Sequence, residues 1–232
     1  MNEVYRKEKK YLLDIVEYTK YIKTLENIMK KDIHNDKNGY KIRTLYFDTI
    51  NDKDYEEKEV GLRNRRKIRL RMYNATPEFA MIELKQKDGE FYIKKSLKLN
   101  KEDAIEITKG KYSSLLKYND KFAAECYGIM QMYAYVPKTV IEYTRNAFII
   151  QENQTRITFD QNIKFSETNY NLFDSNMVLN DAMDNTKVIL EVKYSGFLLS
   201  YIKDLLKKLD KSEIAASKYC TGRKITKYYQ YM

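Results

Sequence analysis

Apolar and charged residues alternate in several short segments of this chain, and the clearest case is residues 67–73. The cations Lys67, Arg69 and Arg71 alternate there with apolar residues at 68, 70 and 72. Successive side chains of an extended strand point to opposite faces of a sheet. The segment is therefore predicted to form a strand with one face in a hydrophobic core and the other lined by positive charge.

Related patterns predict seven more strands, at residues 3–13, 40–49, 79–87, 90–99, 138–150, 155–163 and 186–194. Apolar spacings of three and four predict helices over 14–33 and 121–135 and through most of 197–225, and Asn100 is a suitable N-cap for a helix that ends near Gly110. Residues 50–64 are a polar loop or a short helix, and Asp88-Gly89 predicts a hairpin turn. A sheet of about eight strands usually curls or closes into a barrel.

Charged positions of the other strands also fall on single faces. The sets are Arg6, Glu8 and Lys10; Glu83, Lys85 and Lys87; Arg156, Thr158 and Asp160; and Glu191 with Lys193, and Lys95 is added from the hairpin strand. One solvated sheet face is the common explanation of such alternation, and Asp160 could simply pair with Arg156 or Lys164. However, like charges two residues apart lie about 7 Å from each other, and each such pair costs roughly 2 kcal/mol at an effective dielectric near 20. A barrel that closed with these faces inward would form a cationic channel suited to a polyanion.

Composition agrees with an anionic partner. The 232 residues include 43 Lys and Arg against 33 Asp and Glu, which gives a net charge of +10. Hydrophobic residues make up 43% of the chain, enough for a real core. We expect a cytoplasmic protein without direct membrane insertion. The sequence has only two cysteines, and it shows neither an apolar run of about 18 residues nor a signal-peptide pattern.

An ordered set of short motifs resembles a known family. The motifs are RKEKKY, YFDT, KIRLR, IELK, KKS, YTRNAF, RITFD, LEVKY and SKY, and they extend from about residue 4 to residue 219. Together they resemble the catalytic, polyphosphate polymerase domain of the vacuolar transporter chaperone (VTC) family, which belongs to the triphosphate tunnel metalloenzymes. The resemblance implies an α+β fold with a closed antiparallel eight-stranded β-barrel, the triphosphate tunnel, flanked by helices. It also implies one domain over residues 1–232, with C-terminal helices at about 197–230 that pack on the tunnel.

The resemblance also implies a site. Its catalytic, phosphate-binding residues would be Lys10, Arg69, Arg71, Lys85, Lys95, Arg145, Arg156 and Lys218. Further substrate contacts would come from Arg6, Glu8, Lys193, Ser217 and Tyr219. Glu191 would hold a divalent metal, Mn²⁺ or Mg²⁺, since phosphates supply most oxygen ligands of such an ion.

The implied function is metal-dependent synthesis of inorganic polyphosphate from the γ-phosphate of a nucleoside triphosphate such as ATP. Two alternatives stay open: a triphosphate or polyphosphate hydrolase, and a non-catalytic polyphosphate-binding module. The expected partners are a nucleoside triphosphate and polyphosphate, with a possible membrane partner encoded separately. Nucleic acid is not expected, because RNA-binding sheets present aromatic residues on their reading face.

Overall fold

A computed structural model describes residues 7–74, 78–89 and 91–230. The strands are β1 (Lys7–Asp14), β2 (Lys30–Lys31), β3 (Tyr40–Thr49), β4 (Arg65–Tyr73), β5 (Phe79–Asp88), β6 (Phe91–Asn100), β7 (Tyr135–Ile150), β8 (Thr155–Ser166), β9 (Asn180–Asp181) and β10 (Lys187–Tyr194). The helices are α1 (Ile15–Ile28), α2 (Lys53–Glu59), α3 (Lys101–Thr108), α4 (Lys121–Met132), α5 (Ser200–Lys207) and α6 (Lys218–Gln230). Short 3₁₀ helices cover Tyr112–Lys117 and Glu152–Gln154.

The predicted α+β architecture, an antiparallel sheet with flanking helices, is confirmed, but the closed eight-stranded barrel is wrong. The sheet has ten strands in the order β1-β10-β8-β7-β3-β4-β5-β6, with β2 on β7 and β9 on β8. Within the described residues, β1 and β6 end this order and do not pair with each other. The two extra strands have two residues each, too few for a recognisable pattern. Closure depends on pairing between distant strands, which alternation within one strand does not determine.

The backbone contacts divide the chain into two compact units. Unit 1 comprises residues 1–40, 143–163 and 183–216, and unit 2 comprises 41–142, 164–182 and 217–232. The predicted C-terminal helical region is therefore shared, with α5 in unit 1 and α6 in unit 2. The single domain over residues 1–232 stays a prediction.

Unit 1 has its core on one face of β1, β10 and β8. Leu13, Phe159 and Leu190 are fully buried there, and Leu25 of α1 and Ile202 of α5 pack against the same cluster. The opposite face of these strands carries the charged positions of the alternating pattern, because residues that are directly paired across strands share a face.

Unit 2 has its core on one face of β3, β4, β5 and β6. Leu70, Ile82 and Leu99 are fully buried with residues of α3 and α4. Asn100 caps α3 as predicted: its side chain accepts a hydrogen bond from the Asp103 backbone N–H at 2.7 Å. Gly89 has a φ of +60° in the predicted β5–β6 hairpin, a conformation that favours glycine. None of the helices in the described part of the chain combines the length and the hydropathy required to cross a bilayer.

Candidate functional site

Strands β4, β5 and β6 of unit 2 bring eight cations to one face. The register pairs Arg69 with Glu83, and Lys85 with both Lys67 and Lys94. Glu83 is the single carboxylate of this face among the described residues of these strands. The cations of the face are Arg65, Lys67, Arg69, Arg71, Lys85, Lys87, Lys94 and Lys98. The predicted cationic stripe of β4 thus continues onto β5 and then onto β6.

Glu83 is the common partner of three of these cations. Arg69 Nε donates to its carboxylate at 2.7 Å, Arg71 Nη1 lies 3.8 Å away, and Lys94 forms a further ion pair. Burial raises the pKa of the Glu83 carboxyl, but the surrounding charges outweigh burial and hold that pKa well below its usual range. One buried anion therefore holds Arg69, Arg71 and Lys94 in place on the face without neutralising them.

Strand β3 and the start of α6 border this face. Tyr219 of α6 stacks on Tyr46 with ring centroids 5.2 Å apart, and its hydroxyl donates to Asp48 at 2.7 Å. Lys67 Nζ donates to Ser217 Oγ at 2.7 Å. Tyr219 is fully buried, so it anchors the first turn of α6 and positions Ser217 and Lys218 rather than offering a surface to a ligand.

The Tyr46 hydroxyl reports the electrostatic field of this face. Burial raises its pKa, but four nearby cations outweigh burial, so the pKa is lower than that of an ordinary tyrosine. In order of their effect the cations are Arg69, Arg71, Lys67 and Lys218. A buried hydroxyl that ionises more easily than an exposed one indicates an excess of positive charge, which is the property required to bind a polyanion.

Lys95 is not on this face, and its predicted grouping with Lys85 is wrong. Lys95 pairs in register with Leu84 on the core side of the sheet, and its ammonium bonds Glu125 of α4 at 2.7 Å. The adjacent Lys94 takes the position opposite Lys85. The sequence contains the signal for this register, because Lys95 is in phase with the apolar Ile93 and Leu97.

Unit 1 presents a different charged face, built from β1 and β10. Glu8 pairs in register with Lys193, and Lys10 pairs with Glu191, so positive and negative charges alternate in both directions. Lys193 Nζ lies 2.6 Å from Glu191 and 3.8 Å from Glu8, and Lys10 Nζ lies 2.7 Å from Glu8. Lys10 also donates to the Ala216 carbonyl at 3.1 Å. These four predicted residues are therefore together, and Arg6 lies outside the described residues.

Two arginines complete the unit 1 face, each with its own carboxylate. Arg145 donates to both oxygens of Asp160, at 2.6 and 2.8 Å, in a buried pair. Burial lowers the pKa of Arg145, but Asp160 outweighs it and the pKa lies well above the usual value. Arg156 donates to Asp32 at 2.8 Å and to the Tyr40 hydroxyl at 3.0 Å. Asp160 therefore pairs with Arg145, not with Arg156 or Lys164 as the sequence suggested.

The surroundings of Glu191 suit a hard divalent cation. Thr158 lies directly opposite Glu191 on β8, and its buried hydroxyl has no hydrogen-bond partner. The described residues contain no group of three or more acidic, histidine or cysteine side chains arranged for a metal. Glu191 and Thr158 are therefore the two oxygen donors that the register places side by side, and an ion held there would take most of its ligands from phosphates and water.

The comparisons agree with this architecture. The model of the VTC domain family matches residues 5–227, so this chain belongs to that family. No curated protein matches the chain in sequence. A Bacillus halodurans protein named a "putative adenylate cyclase" has a similar structure, with a TM-score of 0.57, 13% identity and coverage of 94% of this chain and 96% of that one. A "putative adenylate cyclase" of Vibrio parahaemolyticus follows with a TM-score of 0.48, 9% identity and coverage of 93% and 96%.

Proposed function

We propose that this member of the VTC domain family is a phosphotransferase that builds inorganic polyphosphate from the γ-phosphate of a nucleoside triphosphate such as ATP. The observation that carries the proposal is the concentration of cations on β4–β6, where Lys67, Arg69, Arg71, Lys85 and Lys94 lie on one face whose single carboxylate among the described residues of these strands is Glu83. Repulsion between the cations of such a face lowers the stability of the folded protein, and a bound phosphate chain would relieve that repulsion.

The unit 2 face would bind the phosphates. The guanidinium groups of Arg69 and Arg71 suit two oxygens of one phosphate, whereas the ammonium groups of Lys67, Lys85 and Lys94 act as mobile point charges. A terminal oxygen of the growing chain would attack the γ-phosphorus in line. A new P–O bond forms while the bond to the bridging β-oxygen breaks, and the nucleoside diphosphate leaves. Positioning and charge neutralisation suffice for such a transfer, so no side-chain nucleophile is required.

The unit 1 face would hold the metal. Glu191 is the carboxylate ligand in this proposal, with Thr158 as a neighbouring oxygen and Glu8 as a partner of the surrounding lysines. A bound Mn²⁺ or Mg²⁺ would supply positive charge to the phosphate oxygens that it coordinates. Lys10 and Lys193 hold the two glutamates in place, and Arg145 and Arg156 are fixed by Asp160 and Asp32. The membrane partner encoded separately stays a prediction.

Product analysis with purified protein, ATP and Mn²⁺ tests the proposal. We expect long chains that an exopolyphosphatase degrades. Orthophosphate alone would instead identify a hydrolase, and binding without turnover would identify a non-catalytic module. Glu191→Gln should nearly abolish metal-dependent turnover, whereas the control Glu26→Gln, which removes a carboxylate of α1 that pairs with Lys31, should retain it. Full activity of Glu191→Gln would contradict the assigned role of Glu191.

A further inference from the structure

A basic cavity lies in unit 1, on the face of β1 opposite Glu8 and Lys10. It has a volume of about 770 Å³. Its charged wall contains five lysines and two carboxylates. They are Lys7 and Lys9 of β1, Lys203 and Lys207 of α5, Lys211, Asp210 and Glu213. None of these lysines belongs to the predicted phosphate-binding set, so the cavity is separate from the charged faces described above.

The lysines around this cavity exceed the carboxylates that pair with them. Lys9 pairs with Glu213, Lys211 with Glu17 at 2.6 Å, and Lys207 with Asp204 at 3.4 Å. No described carboxylate lies within 4.0 Å of the Lys7 or Lys203 ammonium. Lys203 and Lys207 are also one helical turn apart, a like-charge spacing that destabilises an isolated helix. Strand β1 and helix α5 therefore bring several lysines to one cavity, although these lysines repel one another.

The hollow has an apolar floor and one exposed aromatic residue. Tyr11, Tyr194 and Leu206 line it and are buried, whereas Phe197 is 70% exposed. The lysine side chains can thus extend over a concave surface, which a flat membrane would not fill. A single exposed ring is also too little for the repeated base stacking by which proteins bind single-stranded nucleic acid.

We propose that this cavity is a second binding site for condensed phosphate. A linear phosphate chain carries closely spaced charges, and several mobile ammonium groups can follow it without a fixed geometry. The cavity contains no arginine, in contrast to the β4 face, so the ligand would be held by charge and could move along the site. This site goes beyond the proposed function, because it binds the chain whether or not the other faces synthesise it.

Calorimetric titration with inorganic tripolyphosphate, at low ionic strength and without divalent metal, tests this inference. We expect two classes of site in the unchanged protein. The double variant Arg69→Ala/Arg71→Ala should lose one class and keep the other. In that background, Lys203→Gln/Lys207→Gln should weaken the remaining site by about tenfold or more, because two charged contacts are lost. Both lysines are exposed, so circular dichroism and thermal unfolding should be unchanged.

The matched control is Lys20→Gln/Lys208→Gln, which removes two exposed lysines of the same unit, one in α1 and one directly after α5, that do not line the cavity. An isotherm for the Lys203/Lys207 variant that overlays the control would overturn the inference, and so would binding of phosphatidylserine vesicles in the absence of tripolyphosphate binding. ATP identifies the source of the phosphate: equal affinity for ATP and tripolyphosphate indicates a free chain, whereas tighter ATP binding that Phe197→Ala removes indicates a nucleotide. Either result supports condensed phosphate as the recognised chemistry.

Discussion

The charged faces of the two units solve the same electrostatic problem in different ways. In unit 1 each cation has its own carboxylate: Lys10 with Glu8, Lys193 with Glu191, Arg145 with Asp160 and Arg156 with Asp32. In unit 2 eight cations of β4–β6 lie on one face, and Glu83, the single carboxylate among the described residues of these strands, pairs with Arg69, Arg71 and Lys94. The first face is close to neutral, and the second is strongly positive, as the lowered pKa of Tyr46 indicates.

This difference assigns different tasks to the two faces. Cations that are already paired are held rigidly, and the carboxylates between them can serve a metal ion. Cations that share one carboxylate require further negative charge, and a phosphate chain is the natural source. The distinction leads to predictions in which equivalent substitutions in the two units have unlike effects.

The largest difference should come from removing one arginine in each unit. Arg71→Ala should reduce kcat/KM for the triphosphate by about 10²–10³, because a charge-assisted contact to the transferring phosphates is lost. Its unfolding free energy should change little, since repulsion on the face is relieved. Arg145→Ala should instead lower the unfolding free energy by about 3–5 kcal/mol, because Asp160 is left buried and unpaired. Steady-state kinetics and urea unfolding measure both quantities; equal loss of stability in the two variants would contradict the comparison.

A smaller and sharper difference is expected between two adjacent lysines. Lys94→Ala should raise KM for the triphosphate about tenfold, since Lys94 belongs to the shared face. Lys95→Ala should leave kinetics unchanged and cost at most about 1 kcal/mol of stability through loss of its pair with Glu125. The reverse pattern would restore the grouping that the sequence alone suggested.

These two lysines also mark the limit of sequence-based prediction for this site. The face on which Arg69 and Arg71 lie was predictable, because strict alternation of charged and apolar residues along a strand shows which side chains point to the core and which point away from it. In β6 two consecutive lysines compete for one face, and the choice depends on the hairpin register. Asp32 was missed because it lies 124 residues from Arg156 in the sequence. Asp160 was misassigned because its partner, Arg145, lies on the neighbouring strand β7 rather than on its own strand. The eight long strands were predicted correctly, but the predicted closed barrel was wrong, because closure depends on pairing between distant strands.

A modest effect should separate two threonines of β8 that both have buried, unpartnered hydroxyls. Thr158 lies opposite Glu191 on the charged face. Thr155 lies on the other face of the strand, which it shares with the core residues Ile157 and Phe159. Thr158→Val should weaken Mn²⁺ binding in the presence of tripolyphosphate by about fivefold, the loss of one weak oxygen contact. Thr155→Val should leave it unchanged, and both variants should be as stable as the unchanged protein. Electron paramagnetic resonance of Mn²⁺ gives the affinities; identical values for the two variants would remove Thr158 from the metal site.

The finest test of the comparison is the ionisation of Tyr46. Arg69, Arg71, Lys67 and Lys218 favour the phenolate form of this residue. A phosphate chain bound to unit 2 would offset their charge, so the pKa of Tyr46 should rise when tripolyphosphate is added. Nuclear magnetic resonance of ¹³C-labelled tyrosine, with Tyr46→Phe to assign the signal, measures this shift. Tyr18 of unit 1, whose pKa is raised mainly by burial, should titrate as before. If tripolyphosphate left the Tyr46 titration unchanged while still binding, the phosphate would be held away from β4, and the cation excess of unit 2 would need another explanation.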